Sequence, residues 1–377
     1  MKKFLVFIVF ACCGYYAKSQ YTVRIIVSGI AAKPKDEIYI AGNFNGWNPA
    51  DYNSKLKPFA GGRRIIVFKD VDTGRYEFKF TRGSWDKAEA TSKGGDIENR
   101  LLDIKGDTSV ELSIAGWKDD APEKPKPNTA SANVLIIDTA FYMPQLNRYR
   151  RIWIYLPPSY KQTKNKNYPV LYMHDGQNLF NEQTAFSGEW GIDECLDTLE
   201  RTLNKDCIVV GIDNGGDKRM TEYNPYDDDK YGKGEGRQYV DFIAKTLKPY
   251  IDSNYRTLKD SKHTFIAGSS MGGLISIYAL VQYPDVFGAA GIFSPAFWLV
   301  PQLYPDVVAA KWQKNQRLYF YAGEKESATM VRDMQKMFNM VKDKRCCQAE
   351  YVTFPLGQHN EKYWRQEFDD FYRWLMQ

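Results

Sequence analysis

Residues 118–133, KDDAPEKPKPNTASAN, hold three prolines and six charged side chains without one large apolar residue. Such a stretch has nothing to bury and stays extended and solvated, so it reads as a linker that divides the chain in two. The apolar pattern differs on its two sides. Before it, short β-rich runs at 21–27, 37–41, 65–70, 76–80, 101–104 and 109–114 are separated by turn residues. That spacing, without a helical stripe, predicts an all-β sandwich of the immunoglobulin-like kind over residues 20–117. After it, near-continuous apolar runs at 169–174, 207–213, 264–267, 289–293 and 318–322 alternate with helical patterns at 192–203, 238–255 and 274–282. This predicts an α/β fold over residues 134–377, a mostly parallel sheet covered by helices on both faces.

A length of 377 residues suits two cores better than one. The N-terminus runs from Lys2 and Lys3 through an apolar stretch, residues 4–13, to Ala17-Lys18-Ser19 before Gln20. Charged, apolar and small residues in that order predict a secretory signal peptide over 1–19, cut near Ser19/Gln20, and the apolar run is too short to span a bilayer. A lipoprotein reading requires small residues just before Cys12 or Cys13, which Phe10 does not suit. The chain is therefore expected to be exported, periplasmic or extracellular, with no integral membrane segment left after signal removal. Of the formal charge of +5, three positive charges lie in that segment, which leaves +2 and gives a nucleic-acid partner no electrostatic support. Cys195, Cys207, Cys346 and Cys347 then remain in a compartment that permits disulfides. Few cysteines in a long chain point to buried thiols, or to at most one bridge such as Cys195 with Cys207.

The run 264–267 passes directly into Gly268-Ser269-Ser270-Met271-Gly272-Gly273, and a helical pattern begins at Leu274. A Gly-x-Ser-x-Gly string at a sharp strand-to-helix turn lifts the serine hydroxyl above the sheet, in front of a helix N-terminus that favours developing negative charge. Ser270 is thus the candidate nucleophile, and a serine requires a base. Of three histidines, His359 lies in a loop after the strand pattern 349–354 and before the last helix, where a base belongs. His174, in His-Asp-Gly-Gln, is expected to pack beside the site, and His263 lies at the wrong end of the nucleophile strand. The third member should fall between serine and histidine in the chain. After the strand pattern 318–322 comes Gly323-Glu324-Lys325-Glu326, whose spacing favours Glu326 with Glu324 as the alternative. The oxyanion is expected to meet the N–H groups of Met271 and Gln177, the latter in the loop 174–180. Trp190, Tyr223 and Trp298 follow sheet elements and are expected as substrate walls. Three scattered histidines and no paired cysteine spacing give no metal-ligand cluster, and no cofactor is expected.

In their order along the chain, 171–180, Gly268 to Gly273 and Gly357 to Asn360 resemble the Putative esterase branch of the α/β-hydrolases, over about residues 134–377. That branch takes in feruloyl and acetylxylan esterases, siderophore esterases and the esterase D group. The resemblance implies hydrolysis of a carboxylic ester through an acyl-enzyme. Upstream, EIYIAGNFNGWNP at 37–49, Tyr76-Glu77-Phe78-Lys79-Phe80 and Glu98-Asn99-Arg100 resemble starch- and glycogen-binding modules. Carried across by motif, sugar contacts would come from Trp47, Lys79, Trp85 and Asn99, aromatic faces meeting the apolar side of a pyranose.

Together these readings predict an exported serine esterase acting on feruloyl or acetyl esters of polysaccharides or their fragments. A siderophore-lactone esterase is the alternative among enzymes. A carbohydrate-binding protein with a vestigial hydrolase domain is the alternative from another class.

Overall fold

Alternate residues of the apolar runs after residue 134 enter two different cores, and this sets the layering. In strand β12 (Val170–His174), Val170 and Tyr172 join one cluster while Leu171 and Met173 join another on the opposite face. A strand with both faces buried has no polar side, which is why the run reads as continuous rather than alternating. The computed structural model describes residues 20–30, 35–120, 125–203, 205–229, 231–344 and 347–377. The expected signal segment, Cys346 and residues 121–124 of the expected linker lie outside the described residues. The chain divides into two compact units, Met1–Glu123 and Lys124–Gln377.

The first unit is built of strands. Sheet one runs β3 (Lys57–Pro58), β4 (Arg64–Val71), β1 (Tyr21–Ile30), β8 (Thr108–Ile114), and sheet two runs β2 (Tyr39–Gly42), β5 (Gly74–Thr81), β7 (Arg100–Ile104). Strands β6 (Glu89–Ala90) and β9 (Gly116–Trp117) form a short ribbon. Val23, Ile25 and Val27 of sheet one share a core with Ile40, Phe78 and Phe80 of sheet two, so the sheets pack face to face.

The second unit carries an eight-stranded sheet in the order β10 (Val134–Met143), β11 (Arg148–Tyr155), β13 (Ile208–Ile212), β12, β14 (Thr264–Ser269), β15 (Ala289–Phe293), β16 (Arg317–Gly323), β17 (Gln348–Phe354). β12 to β17 run parallel, and the β10–β11 hairpin adds antiparallel pairs at one edge. Helices Met271–Gln282 and Met330–Lys342 cover one face, and helices Ile192–Leu203 and Glu361–Leu375 cover the other. The six parallel strands, β12 to β17, all end on one edge; in open α/β sheets that edge holds the reactive groups.

The end of the expected linker is not free. Thr129 Oγ1 donates to Glu189 at 2.8 Å, Ser131 N–H to Asp193 at 2.7 Å and Asn133 Nδ2 to Asp197 at 2.9 Å. Asp193 and Asp197, one turn apart on the helix Ile192–Leu203, and Glu189 just before that helix give this polar segment the partners that its missing apolar side chains cannot supply. Cys195 and Cys207 are free thiols and are not bridged to each other.

Candidate active site

Ser270 stands between β14 and the helix Met271–Gln282 at φ 59°, ψ −119°. A left-handed φ is costly for a residue with a Cβ and persists only where the surroundings hold it. Here the Ser270 N–H donates to Phe293 O at 2.9 Å and its carbonyl accepts from Ala296 N–H at 3.1 Å. The flanking glycines are required by packing rather than by φ: a Cβ at Gly268 would sit 2.9 Å from His174 Cδ2, and one at Gly272 would sit 3.3 Å from His174 Cβ. His174 therefore lies under the turn. Met271 opens the helix immediately after Ser270, so its N–H is among those without an intrahelical partner.

The loops after β16 and β17 supply an acid and a base. Glu326, 1 % exposed, follows β16 and accepts His359 Nδ1–H on Oε2 at 2.8 Å. Its Oε1 takes the Gly323 N–H at 2.7 Å and the Ser294 hydroxyl at 2.6 Å. With Nδ1–H given to the carboxylate, the neutral imidazole keeps its lone pair on Nε2, the atom that a base uses. Glu324 instead accepts from Thr353 Oγ1 at 3.0 Å and is exposed. The two loops come together because Gly323 and Gly357 touch: a Cβ on Gly323 would lie 2.2 Å from the Gly357 carbonyl carbon.

A second polar corner follows β12. His174 is buried and bonded through Nδ1 to Tyr239 OH at 2.8 Å, with Nε2 unbonded, and burial pushes it down to about 3. It is a neutral packing histidine, as expected. Asp175 (φ 57°) accepts Arg219 in a fork, Nε at 2.7 Å and Nη2 at 2.9 Å, and takes Asn214 Nδ2 at 2.7 Å. Burial raises the Asp175 carboxyl, but the Arg219 charge and these hydrogen bonds outweigh it and hold the group below its ordinary range. The helical turn Gly176–Asn178 comes next; Gln177 Oε1 accepts from Asn214 N–H at 3.1 Å, which orients that loop. Asn178 Nδ2 donates to Glu361 at 3.2 Å, and burial pushes Glu361 up to about 7. His263 is only partly buried, at the opposite end of β14, 2.9 Å from Asp260.

Two expected substrate walls require correction. Trp190 is buried, stacked on Trp364 at 5.6 Å and edge-on to Phe293 at 5.0 Å. Tyr223 is fully buried between His174 and Tyr239, and its hydroxyl accepts the Asp175 N–H at 3.2 Å. A position just after a sheet element brings a side chain near the strand ends without deciding which way it turns, and large aromatics gain most by filling the layer beneath the helices. Trp298 is half-buried. Sequence reasoning missed Ser294 and Trp364, whose indole Nε1 donates to Ser294 Oγ at 2.8 Å; the positive φ of Ser294, 44°, has no signature in Ser-Pro.

In the first unit, Trp47 (φ 58°) and Trp85 place their rings 6.2 Å apart at 41°, both half-buried. Burial, with the charge of Lys118 adding, lowers the Lys79 ammonium; Asn99 Nδ2 donates to Glu77 at 3.3 Å.

Comparison with known proteins gives relatives by sequence and by fold. The chain is 24% identical over 241 residues to the uncharacterized protein YbbA of Bacillus subtilis (strain 168), covering 60% of this chain and 92% of that one. Among solved structures, a ferulic acid esterase superposes with TM-score 0.51 at 21% identity, over 65% of this chain and 98% of that chain. The enterobactin esterase of Shigella flexneri gives TM-score 0.52 at 17% identity, over 90% and 89%. At such identities the likeness concerns the fold alone. The model of the Esterase family, described as Putative esterase, matches residues 144–375, most of the chain, and the chain belongs to that family.

Proposed function

We propose that this protein is an exported carboxylic-ester hydrolase that works through a serine acyl-enzyme, with Ser270 as nucleophile, His359 as base and Glu326 as its acid. The observation that carries this reading is the His359–Glu326 hydrogen bond of 2.8 Å, beside a strained serine at a helix N-terminus. In the proposed cycle Ser270 Oγ attacks the ester carbonyl and passes its proton to His359 Nε2. Glu326 stays ionised and holds the imidazolium, and the N–H groups of Met271 and Gln177 receive the oxyanion. His359 then returns the proton to the leaving alcohol, and water repeats the sequence on the acyl-enzyme. Belonging to the Esterase family supports the hydrolase class.

For the substrate we propose feruloyl or acetyl esters of polysaccharides or their fragments, with Trp298 the one expected wall that keeps exposed surface. The forked Asp175–Arg219 pair argues for this over the siderophore lactone, because Arg219 is already matched by a carboxylate and offers no surplus charge to an anionic chelate. The first unit is proposed as an immunoglobulin-like carbohydrate module, supported by the Trp47–Trp85 pair, with Lys79 and Asn99 addressing hydroxyls. A screen of the full chain on methyl ferulate, acetylated xylan and a catechol trilactone tests the proposal. Turnover of either of the first two above the third supports it. Preference for the trilactone transfers the assignment to the siderophore class, and no ester turnover at all ends the enzyme reading.

A further inference from the structure

We propose that Ser294 and Trp364 are positioning residues for the reaction, forming one directed line of hydrogen bonds that ends on the Glu326 carboxylate, which His359 Nδ1–H meets from the other side. The inference rests on the reading of Glu326 and His359 as acid and base. The direction of the line is forced by chemistry. An indole N–H only donates and a carboxylate only accepts. Ser294 Oγ, which receives Trp364 Nε1–H at 2.8 Å, must therefore aim its single proton at Glu326 Oε1, 2.6 Å away.

Several features show that this serine is held at a cost. It is fully buried at φ 44°, a left-handed conformation that strains a residue with a Cβ. Its own N–H donates to Tyr321 O at 2.6 Å, so β15 and β16 fix its backbone. Trp364 is fixed as well: it stacks on Trp190 at 5.6 Å and sets its ring edge-to-face against the His359 imidazole at 5.1 Å. The tryptophan thus touches both partners, the base through its ring and the acid through Ser294. Without the hydroxyl, Oε1 keeps only the Gly323 N–H, and a carboxylate with one fewer donor turns more freely and attracts protons more strongly.

The alternative is a buried serine that merely satisfies an indole, and the readouts separate the two. The full chain is assayed on p-nitrophenyl acetate as Ser294→Gly, which keeps the left-handed backbone and deletes the hydroxyl, as Trp364→Phe, as the double variant, and as Glu326→Gln. Ser294→Gly and Trp364→Phe are each expected to lower kcat roughly tenfold, with KM within about twofold, and to move the acid-side midpoint of the kcat/KM profile upward by about half a pH unit. The His359 Nδ1–H resonance should shift with it. The double variant should be no worse than Ser294→Gly, since the indole acts through the hydroxyl. Ionisable neighbours include Tyr321, whose phenol burial pushes up with the charges of Glu367 and then Glu326 adding, together with Tyr363, Glu324, Lys325 and Glu361; all stay unchanged in these variants. Unaltered kcat and profile in both single variants, with only the melting temperature lowered, would overturn the inference while leaving an impaired Glu326→Gln in place. A parental Glu326→Gln would overturn the acid assignment and the inference with it. If Ser294→Gly does not fold, Trp364→Phe reads the same line from its far end.

Discussion

Two histidines stand at the carboxyl ends of strands in the second unit, each beside a carboxylate, and their hydrogen-bond partners differ. His359 keeps 15% of its side chain exposed and gives Nδ1–H to a carboxylate anchored by two further donors. His174 is 1 % exposed, shares Nδ1 with a phenol and has burial against it, so it stays neutral and out of reach. The carboxylate that follows it, Asp175, is committed to Arg219 rather than to the imidazole. A histidine at a strand end therefore becomes a base only when an anchored acid faces Nδ1 and some surface remains open. Burial without the acid makes it a spacer under the glycines of the turn.

The largest effects should fall on the first corner. Ser270→Ala is expected to fold and to lose at least about 10³-fold in ester turnover, because the nucleophile goes while the oxyanion donors stay. His359→Ala should do comparable damage. In contrast, His174→Asn, which keeps a polar partner for Tyr239 OH, should stay within about tenfold of parental turnover while melting a few degrees lower. Equal losses in His359→Ala and His174→Asn at matched folded fractions would erase the distinction between the two corners.

A smaller and sharper contrast lies within one loop. Glu326→Gln leaves an amide that cannot stabilise an imidazolium, and a loss of roughly 10²-fold or more in kcat is expected. Glu324→Gln should be within about twofold, since its carboxylate bonds Thr353 at the surface. Steady-state kinetics of the pair at one pH decides it; the reverse ranking would move the acid to Glu324.

Much of this corner was legible because its signals are local. The run 264–267 followed by Gly268-Ser269-Ser270 needs no distant partner to be read, and the three-residue spacing from Gly323 to Glu326 singled out the residue that bonds His359. The helix behind Ser270 begins at Met271 rather than at the expected Leu274, because Met271-Gly272-Gly273 lacks an apolar stripe although its N–H groups face the site. The β10–β11 hairpin went unread for a related reason: β10 is an edge strand with Leu135, Ile136 and Tyr142 exposed, so its pattern does not alternate as a half-buried strand should. Trp190 and Tyr223 were misplaced since sequence position fixes the Cα and not the rotamer. Ser294 and Trp364 are 70 residues apart, and nothing in either neighbourhood announces their bond.

The smallest expected effect concerns Glu361, which belongs to the second corner although it lies two residues after His359. Its carboxyl is 8% exposed, bonded to Asn178 and raised by burial to about 7, with the charge of Asp175 adding and that of Arg219 opposing. In an unfolded chain the same group ionises near about 4.3. A folded value above the unfolded one means that the native state binds the proton more tightly. The stability it contributes is then complete below about pH 4 and is lost as pH rises through about 7. Glu361→Gln cannot ionise and should escape that loss, so its melting temperature should match the parent near pH 5 and exceed it by several degrees at pH 8. The difference between variant and parent is the diagnostic quantity, because Asp193 and Glu367 are also raised by burial to about 7 and bend the parental curve in the same direction. A helix N-terminus favours the ionised form and opposes burial at this position. An offset that stays constant from pH 5 to pH 8 would mean that the helix wins and Glu361 is ionised throughout. The second corner would then carry surplus negative charge beside Asp175, and the picture of groups held silent by burial and pairing would fail at its margin while His174 still obeyed it.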